Sequence, residues 1–248
     1  MIDTHAHLYL SKSPIPELLS RAKNAGLSHI VCPGLDLESS KKSIALSQAH
    51  PMICPAIGVH PCEAPDFKIN QEKWVALFEK ERYPIGEIGL DYYRMYHPKA
   101  LQEEVFTHQL DMASSLNLPV ILHLRSAEEE MLKILSQFKN VRKVFHCFSG
   151  SEDFVKKVLD ENTFFSVTAT IANGLKKTQL EALNHIPLSK LMLETDSPYL
   201  TPKPQKGQEN EPSFLIHIAE KLSEIKNQAL NTILTETSQT ARYFFNLH

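Results

Sequence analysis

Eight short apolar runs, each closed by a loop, recur along this 248-residue chain and restrict its fold more than any other feature. They are Ile2–His7, His29–Cys32, Met52–Val59, Ile85–Gly89, Val120–Leu124, Lys143–Cys147, Phe164–Thr168 and Lys190–Glu194. Between them lie the stretches Pro16–Ala25, Gln71–Glu81, Ala100–Leu116, Ala127–Phe138 and Glu152–Leu159. In Ala100–Leu116, residues Leu101, Val105, Phe106, Leu110, Ala113 and Leu116 recur at helical spacing and make one apolar face. Gly26 stands where a helix C-terminal cap is expected. Strands alternating with helices imply parallel strands joined by crossovers. Eight units in this length predict an α/β (β/α)8 TIM barrel, a single domain over residues 1–248, in preference to an open doubly wound sheet. The pattern is weakest at strand two and in the helix around residues 174–183. Beyond strand eight, Pro202 and Pro204 lead to a helix from about Pro212 and a last helix ending near Phe244.

Composition narrows the function classes. A hydrophobic fraction of 42% supports a substantial core, and 22% charged residues is unlike a disordered chain. The net charge of −3 gives no basic footprint for coating nucleic acid or an anionic membrane. An enzyme whose positive charge is a metal centre stays open. Cys32, Cys54, Cys62 and Cys147 form no C-x-x-C pair and read as reduced thiols of a cytoplasmic protein. No secretory leader and no membrane span is expected, since no apolar stretch approaches ~18 residues. Dinucleotide-binding glycine motifs, a P-loop and a G-x-S-x-G elbow are all missing from the sequence.

In such barrels chemistry gathers at the C-terminal strand ends, where the loops converge. His5 and His7 close strand one, and their i, i+2 spacing in an extended chain puts both imidazoles on one face. His60 follows strand three, Glu87 lies on strand four, His123 ends strand five, His146 ends strand six and Asp196 follows strand eight. Imidazole and carboxylate are the donors that divalent transition metals prefer. Four of these histidines with Glu87 and Asp196 exceed the needs of one ion, and two ions bridged by a carboxylate would use them all. The competing reading, six separately satisfied polar residues, needs six coincidences of type and position. Cys147, next to His146, is expected to face the other way and pack outside the barrel. Glu194 and Asp91 are expected to support ligands rather than react.

These motifs carry a family resemblance. "IDTHAHL", "IGVHP", "GEIGLDYYR", "VILHLR", "VFHCFSGS", "LETDSPYL" and "NEPSFL" resemble the TatD-like metal-dependent deoxyribonucleases, a branch of the amidohydrolase-type barrels, over nearly the whole chain. The resemblance implies that His5, His7, Glu87 and Asp196 hold one metal and Glu87, His123 and His146 the second, with Glu87 as the bridge. No lysine stands on strand four to be carboxylated, which favours the TatD-like branch. Two departures stand out. Leu124 and Ser126 flank Arg125, where the family has Ser-Arg-Asp. After strand eight, Lys203 and Lys206 remain, but Gln208 and Glu209 replace basic residues. Glu209 is expected either to face the mouth and repel a phosphate backbone, or to point to solvent or pair with Lys206.

The function expected is hydrolysis of DNA phosphodiester bonds through two divalent ions (Zn, Mn, Ni, Fe or Mg), at single-stranded ends and without an obligate protein partner. Catalysis would fall to Asp196, orienting the attacking water and taking its proton, and to the bridging Glu87. Arg125, His60 and Lys203 would bind the phosphate. Tyr92 and Tyr93 are candidates for stacking on bases, with core packing the simpler role for at least one. The alternatives are a divalent-metal hydrolase of small amides, lactones or phosphoesters, and a protein that holds nucleic-acid ends without cutting them.

Overall fold

The computed structural model describes residues 1–247. Eight parallel strands run in chain order: β1 (Ile2–Asp3), β2 (His29–Pro33), β3 (Ile53–Ala56), β4 (Ile85–Asp91), β5 (Val120–Arg125), β6 (Lys143–Phe145), β7 (Thr163–Val167) and β8 (Leu191–Leu193). Continuous ladders join β1 to β3 and β4 to β8. Single bridges close both seams, Ile57 to Ile85 and Ala6 to Ser197. Around the second seam, Thr4 N–H donates to Leu193 O at 3.0 Å, Asp196 N–H to His5 O at 2.9 Å and His7 N–H to Ser197 O at 2.7 Å. The result is the α/β barrel that the alternation predicts.

Its helices are α1 (Ile15–Asn24), α2 (Leu37–Ala49), α3 (Ala64–Ile69), α4 (Gln71–Glu81), α5 (Lys99–Leu116), α6 (Glu128–Leu135), α7 (Glu152–Val158), α8 (Thr170–Asn173), α9 (Lys177–His185), α10 (Leu215–Lys226) and α11 (Leu230–Phe245). Two of them lack a readable sequence pattern. The serine-rich α2 has a poor apolar stripe and is set by its start: Asp36 Oδ1 accepts from Ser39 N–H at 2.7 Å while Ser39 Oγ accepts from Asp36 N–H at 3.0 Å. The six-residue α3 is too short to show a period. No helix among the described residues is long and apolar enough to cross a membrane.

The barrel interior explains where the chemistry sits. Ile2, Val31, Ala56, Ile121, Val144, Phe164 and Met192, one from each of seven strands, form one apolar cluster with Ala241, Phe244 and Phe245 of α11. Phe244 packs edge-on against Phe164 at 5.3 Å between ring centroids, so α11 plugs the N-terminal end. Two residues further along the same inward faces, Ile121 gives way to His123, Val144 to His146, Phe164 to Ser166 and Met192 to Glu194. The outward residues, such as Val120, Leu122, Phe165 and Leu193, pack in the larger cluster under the helices.

Strand four must approach strand five closely at its upper end. Gly89 has φ +143°, and a Cβ there would lie 2.1 Å from the carbonyl oxygen of His123. We expect Gly89→Ala to lower unfolding stability by about 2 kcal/mol or more through forced separation of β4 and β5. Urea denaturation measures this, and an unchanged midpoint would contradict it.

Candidate metal centre

His5 and His7 lie just past β1 rather than within it, because the two-residue strand ends at Asp3. The intervening Ala6 bridges to Ser197, which keeps the backbone extended and both rings on one side. Their Nε2 atoms are 3.2 Å apart. Glu87 is the third residue of β4, where the register with β5 shifts between Ile85 and Ile88. Its side chain is only 3% exposed and faces the histidines. Oε2 lies 3.2 Å from His5 Nε2 and 3.6 Å from His7 Nε2. Oε1 lies 2.7 Å from His123 Nδ1, 3.0 Å from His146 Nε2 and 3.5 Å from His60 Nε2. Asp196, at φ +55° after β8, brings Oδ1 to 3.9 Å from His5 and 3.7 Å from His7.

The far side of each ring shows what its near nitrogen can do. His7 Nδ1 faces Pro33 O at 3.3 Å and the Tyr9 hydroxyl at 3.2 Å, and that hydroxyl itself donates to Pro33 O. Nδ1 of His7 is therefore protonated and Nε2 keeps its lone pair. His123 Nε2 lies 3.1 Å from Asp91 Oδ2. His146 Nδ1 is 3.3 Å from Glu194 Oε1 but out of line for a hydrogen bond. Glu194 is held in turn by Cys147 N–H at 2.5 Å and Ser166 Oγ–H at 2.6 Å. His60 differs: its Nδ1 accepts from Cys62 N–H at 3.1 Å, so its inward Nε2 carries the ring proton.

Charge follows this arrangement. Burial raises Glu87, but the facing imidazoles of His146, His60 and His5 and the His123 hydrogen bond override it and hold the carboxyl well below its ordinary range. Burial works against charge on His146 as well, yet Glu87 and Glu194 hold its pKa well above normal. Burial beside His5 lowers His7 to about 3, leaving it neutral. Burial raises Asp196 to about 6 against the pull of His146 and His5.

The residues fit a bound divalent ion. His5, His7 and Glu87 offer three donor atoms within 4.8 Å of one another, as do His60, Glu87 and His123, and as do His5, His146 and Glu194. His5 Nδ1 is buried with no hydrogen-bond partner. Protons on His146 and His123 supply the positive charge that the carboxylates demand, and a metal would displace them. The nitrogen and oxygen donors suit zinc, manganese, nickel or iron.

A family model described as TatD related DNase matches residues 2–246. The chain belongs to this family. Curated relatives include the uncharacterized metal-dependent hydrolase YabD of Bacillus subtilis, 33% identical over 100% of both chains. The 3'-5' ssDNA/RNA exonuclease TatD of Edwardsiella piscicida is 35% identical over 94% of both. The crystal structure of the TatD homolog YJJV from Escherichia coli superposes with a TM-score of 0.92 at 26% identity, covering 100% of this chain and 98% of that one. This TatD-family protein is a metal-dependent hydrolase with the amidohydrolase-like barrel.

Around the centre, one expectation changes. Cys147 is not packed outside the barrel: β6 ends at Phe145, Cys147 takes φ +46°, and its Sγ lies 3.3 Å from Thr168 Oγ1. Strand alternation no longer governs it. It lines a cavity of about 630 Å³ with His146, Arg125, Lys99, Tyr92 and Phe148. The Arg125 guanidinium stacks 4.1 Å from the Tyr93 ring centroid. Lys203 is exposed in a short turn (Lys203–Gln205) and does not line that cavity. Glu209 is engaged with Ser11 and Lys12 rather than with Lys206. Its Oε1 accepts from Ser11 Oγ–H at 2.7 Å and Lys12 N–H at 2.9 Å, latching the loop after β8 to the loop after β1.

Some supporting residues carry little signal in sequence. Tyr9 orients His7, and Asn210 donates to Thr195 O at 2.8 Å and Tyr199 O at 2.5 Å. Asp3, pushed up to about 8 by burial, accepts from Thr195 N–H and Oγ–H at 2.9 and 2.6 Å and from His5 N–H at 3.2 Å. For Asp3 the available clue was a carboxylate on a strand expected to be apolar; for Tyr9 and Asn210 it was only their place in or near the quoted motifs.

Replacing Glu209 by Gln keeps the side-chain volume and weakens the latch. We expect faster amide hydrogen exchange at Lys12 and through residues 201–211, with global stability changed by less than about 1 kcal/mol because the contact is at the surface. Exchange mass spectrometry reads this, and unaltered protection would remove the latch.

Proposed function

We propose that this TatD-family hydrolase is a two-metal nuclease that removes nucleotides from single-stranded DNA ends. One observation carries the reading: Glu87 turns each carboxylate oxygen to a different donor group. His5, His7, Glu87 and Asp196 would hold one ion, and Glu87, His123 and His146 the other. Two divalent ions bound there supply Lewis-acid stabilisation of phosphate charge and a water of lowered pKa.

The chain's own residues complete the chemistry. Asp196 Oδ1, beside His5 and His7, is placed to take the proton of the attacking water. Nε2–H of His60 can donate to a phosphate oxygen, because its other nitrogen is committed to Cys62. Arg125, on the cavity wall with His146, can neutralise a second oxygen. Lys203, out on the loop after β8, would meet the strand farther from the scissile bond. Asp91 and Glu194 hold His123 and His146 in orientation. The relatives named 3'-5' ssDNA/RNA exonuclease support end-directed cleavage from the 3′ side. Four free cysteines support a reducing, cytoplasmic setting, and one chain supplies every donor.

Metal-stripped protein should be inert and regain release of mononucleotides from 3′-ends of single-stranded oligonucleotides on adding Mn, Zn, Ni, Fe or Mg. Bound metal should fall from two ions to one in the His5→Ala, His7→Ala double variant, by elemental analysis. Hydrolysis of small amides or lactones with no release from DNA, or unchanged metal content, would overturn the reading. Asp196→Asn should cut kcat by about 10²–10⁴-fold with little change in KM, since an amide cannot accept the proton. A merely severalfold loss at saturating metal would deny that role.

A further inference from the structure

Among the described residues nine large apolar side chains are strongly exposed, and six stand on loops at the C-terminal mouth: Leu10, Tyr93, Met95, Tyr96, Tyr199 and Leu200. Solvent-facing aromatics do not contribute to the core, so their concentration beside the metal centre needs another cause. Tyr93 is 68% exposed yet firmly held. Its N–H donates to Asp91 Oδ1 at 3.0 Å, beside Arg94 N–H at 2.7 Å, while the other oxygen of Asp91 holds His123. Tyr92 N–H donates to Arg125 O at 2.9 Å, and the Arg125 guanidinium lies against the Tyr93 ring. Tyr92 itself is turned inward, packing on the core with its hydroxyl donating to Glu103 at 2.6 Å. Tyr199 is 54% exposed on the loop after β8, with its ring 6.4 Å from that of His7. Asn210 and the backbone of Asp196 fix its peptide. In the strand order, the β4–β5 rim lies opposite the β8–β1 rim, so the centre falls between the two tyrosines.

We infer that Tyr93 and Tyr199 form a base clamp: each stacks on an unpaired base, one on either side of the scissile phosphate. Flat π-faces interleaved with cations match a chain in which bases and phosphates alternate. Arg125 serves twice, bracing Tyr93 and meeting phosphate. Paired bases offer no free faces, so the clamp selects single strands without reading sequence, and it does so in a protein of net charge −3. This inference rests on the nuclease reading above and adds the groups that recognise the substrate.

The test uses the metal-loaded protein and two probes, an oligothymidylate and the same strand with abasic sites flanking the terminal phosphodiester. Tyr93→Ala and Tyr199→Ala should each raise KM on the natural strand by about tenfold or more, with a much smaller effect on kcat. Tyr93→Phe and Tyr199→Phe should restore KM, and Tyr93→Leu, which keeps bulk without a π-face, should not. On the abasic strand, wild type should lose affinity to the level of the alanine variants, and those variants should lose no more. Circular dichroism and metal content confirm that each variant is folded. Unchanged KM in the alanine variants, or equal losses on both probes, would overturn the clamp while leaving the nuclease intact. A wild-type protein that releases nothing from DNA would overturn the nuclease reading and the clamp together.

Discussion

The carboxylate of Glu87 is the point on which the site depends. Removing an ion of that size from water costs several kcal/mol even after relaxation, unless neighbours compensate. Here compensation comes from four imidazoles on four other segments: His5 after β1, His60 in the turn after β3, and His123 and His146 at the ends of β5 and β6. Strand β5 lies beside β4 in any case, but the chain after β1 could not bring His5 and His7 to Glu87 in an open sheet, so the buried charge and the closed barrel require each other. The apolar layer beneath, plugged by Phe244 and Phe245, excludes water from below and leaves the mouth as the open side.

A second tier of carboxylates turns this cluster into an oriented one. Asp91 holds His123 through one oxygen and the β4 loop through the other; Glu194 lies against His146 while fixing Cys147 and Ser166. Each links the ring angle of a histidine in the cluster to the backbone of a mouth loop. A disturbance of the Tyr93 loop therefore reaches His123 through a single side chain.

Much of this was legible in the sequence. Strand-helix alternation predicts the barrel, and the helix Gln71–Glu81 matches to the residue. The histidines and carboxylates could be placed because i, i+2 alternation holds along β5, β6 and β8. Reading failed where backbone geometry departs from regular strands. Cys147 turns because it takes a left-handed conformation that no neighbour announces. Helix α2 was hidden because a cap, not an apolar stripe, defines it. The partners of Glu209 were not legible because Ser11 and Lys12 lie almost two hundred positions away and only the closed ring brings them near. The exposed tyrosines are visible as letters, but the sequence does not say which of Tyr92 and Tyr93 turns outward.

The seam between the first and last strands has a consequence for biosynthesis. His5 and His7 are synthesised nearly two hundred residues before their backbone partners at Asp196 and Ser197. Until then the nascent chain carries an unpaired leading edge and an incomplete set of donors. A chain interrupted before Asp196 lacks both that carboxylate and the bridge that seats His5 and His7. Closing the ring last ties the geometry around Glu87 to synthesis of the β8 segment.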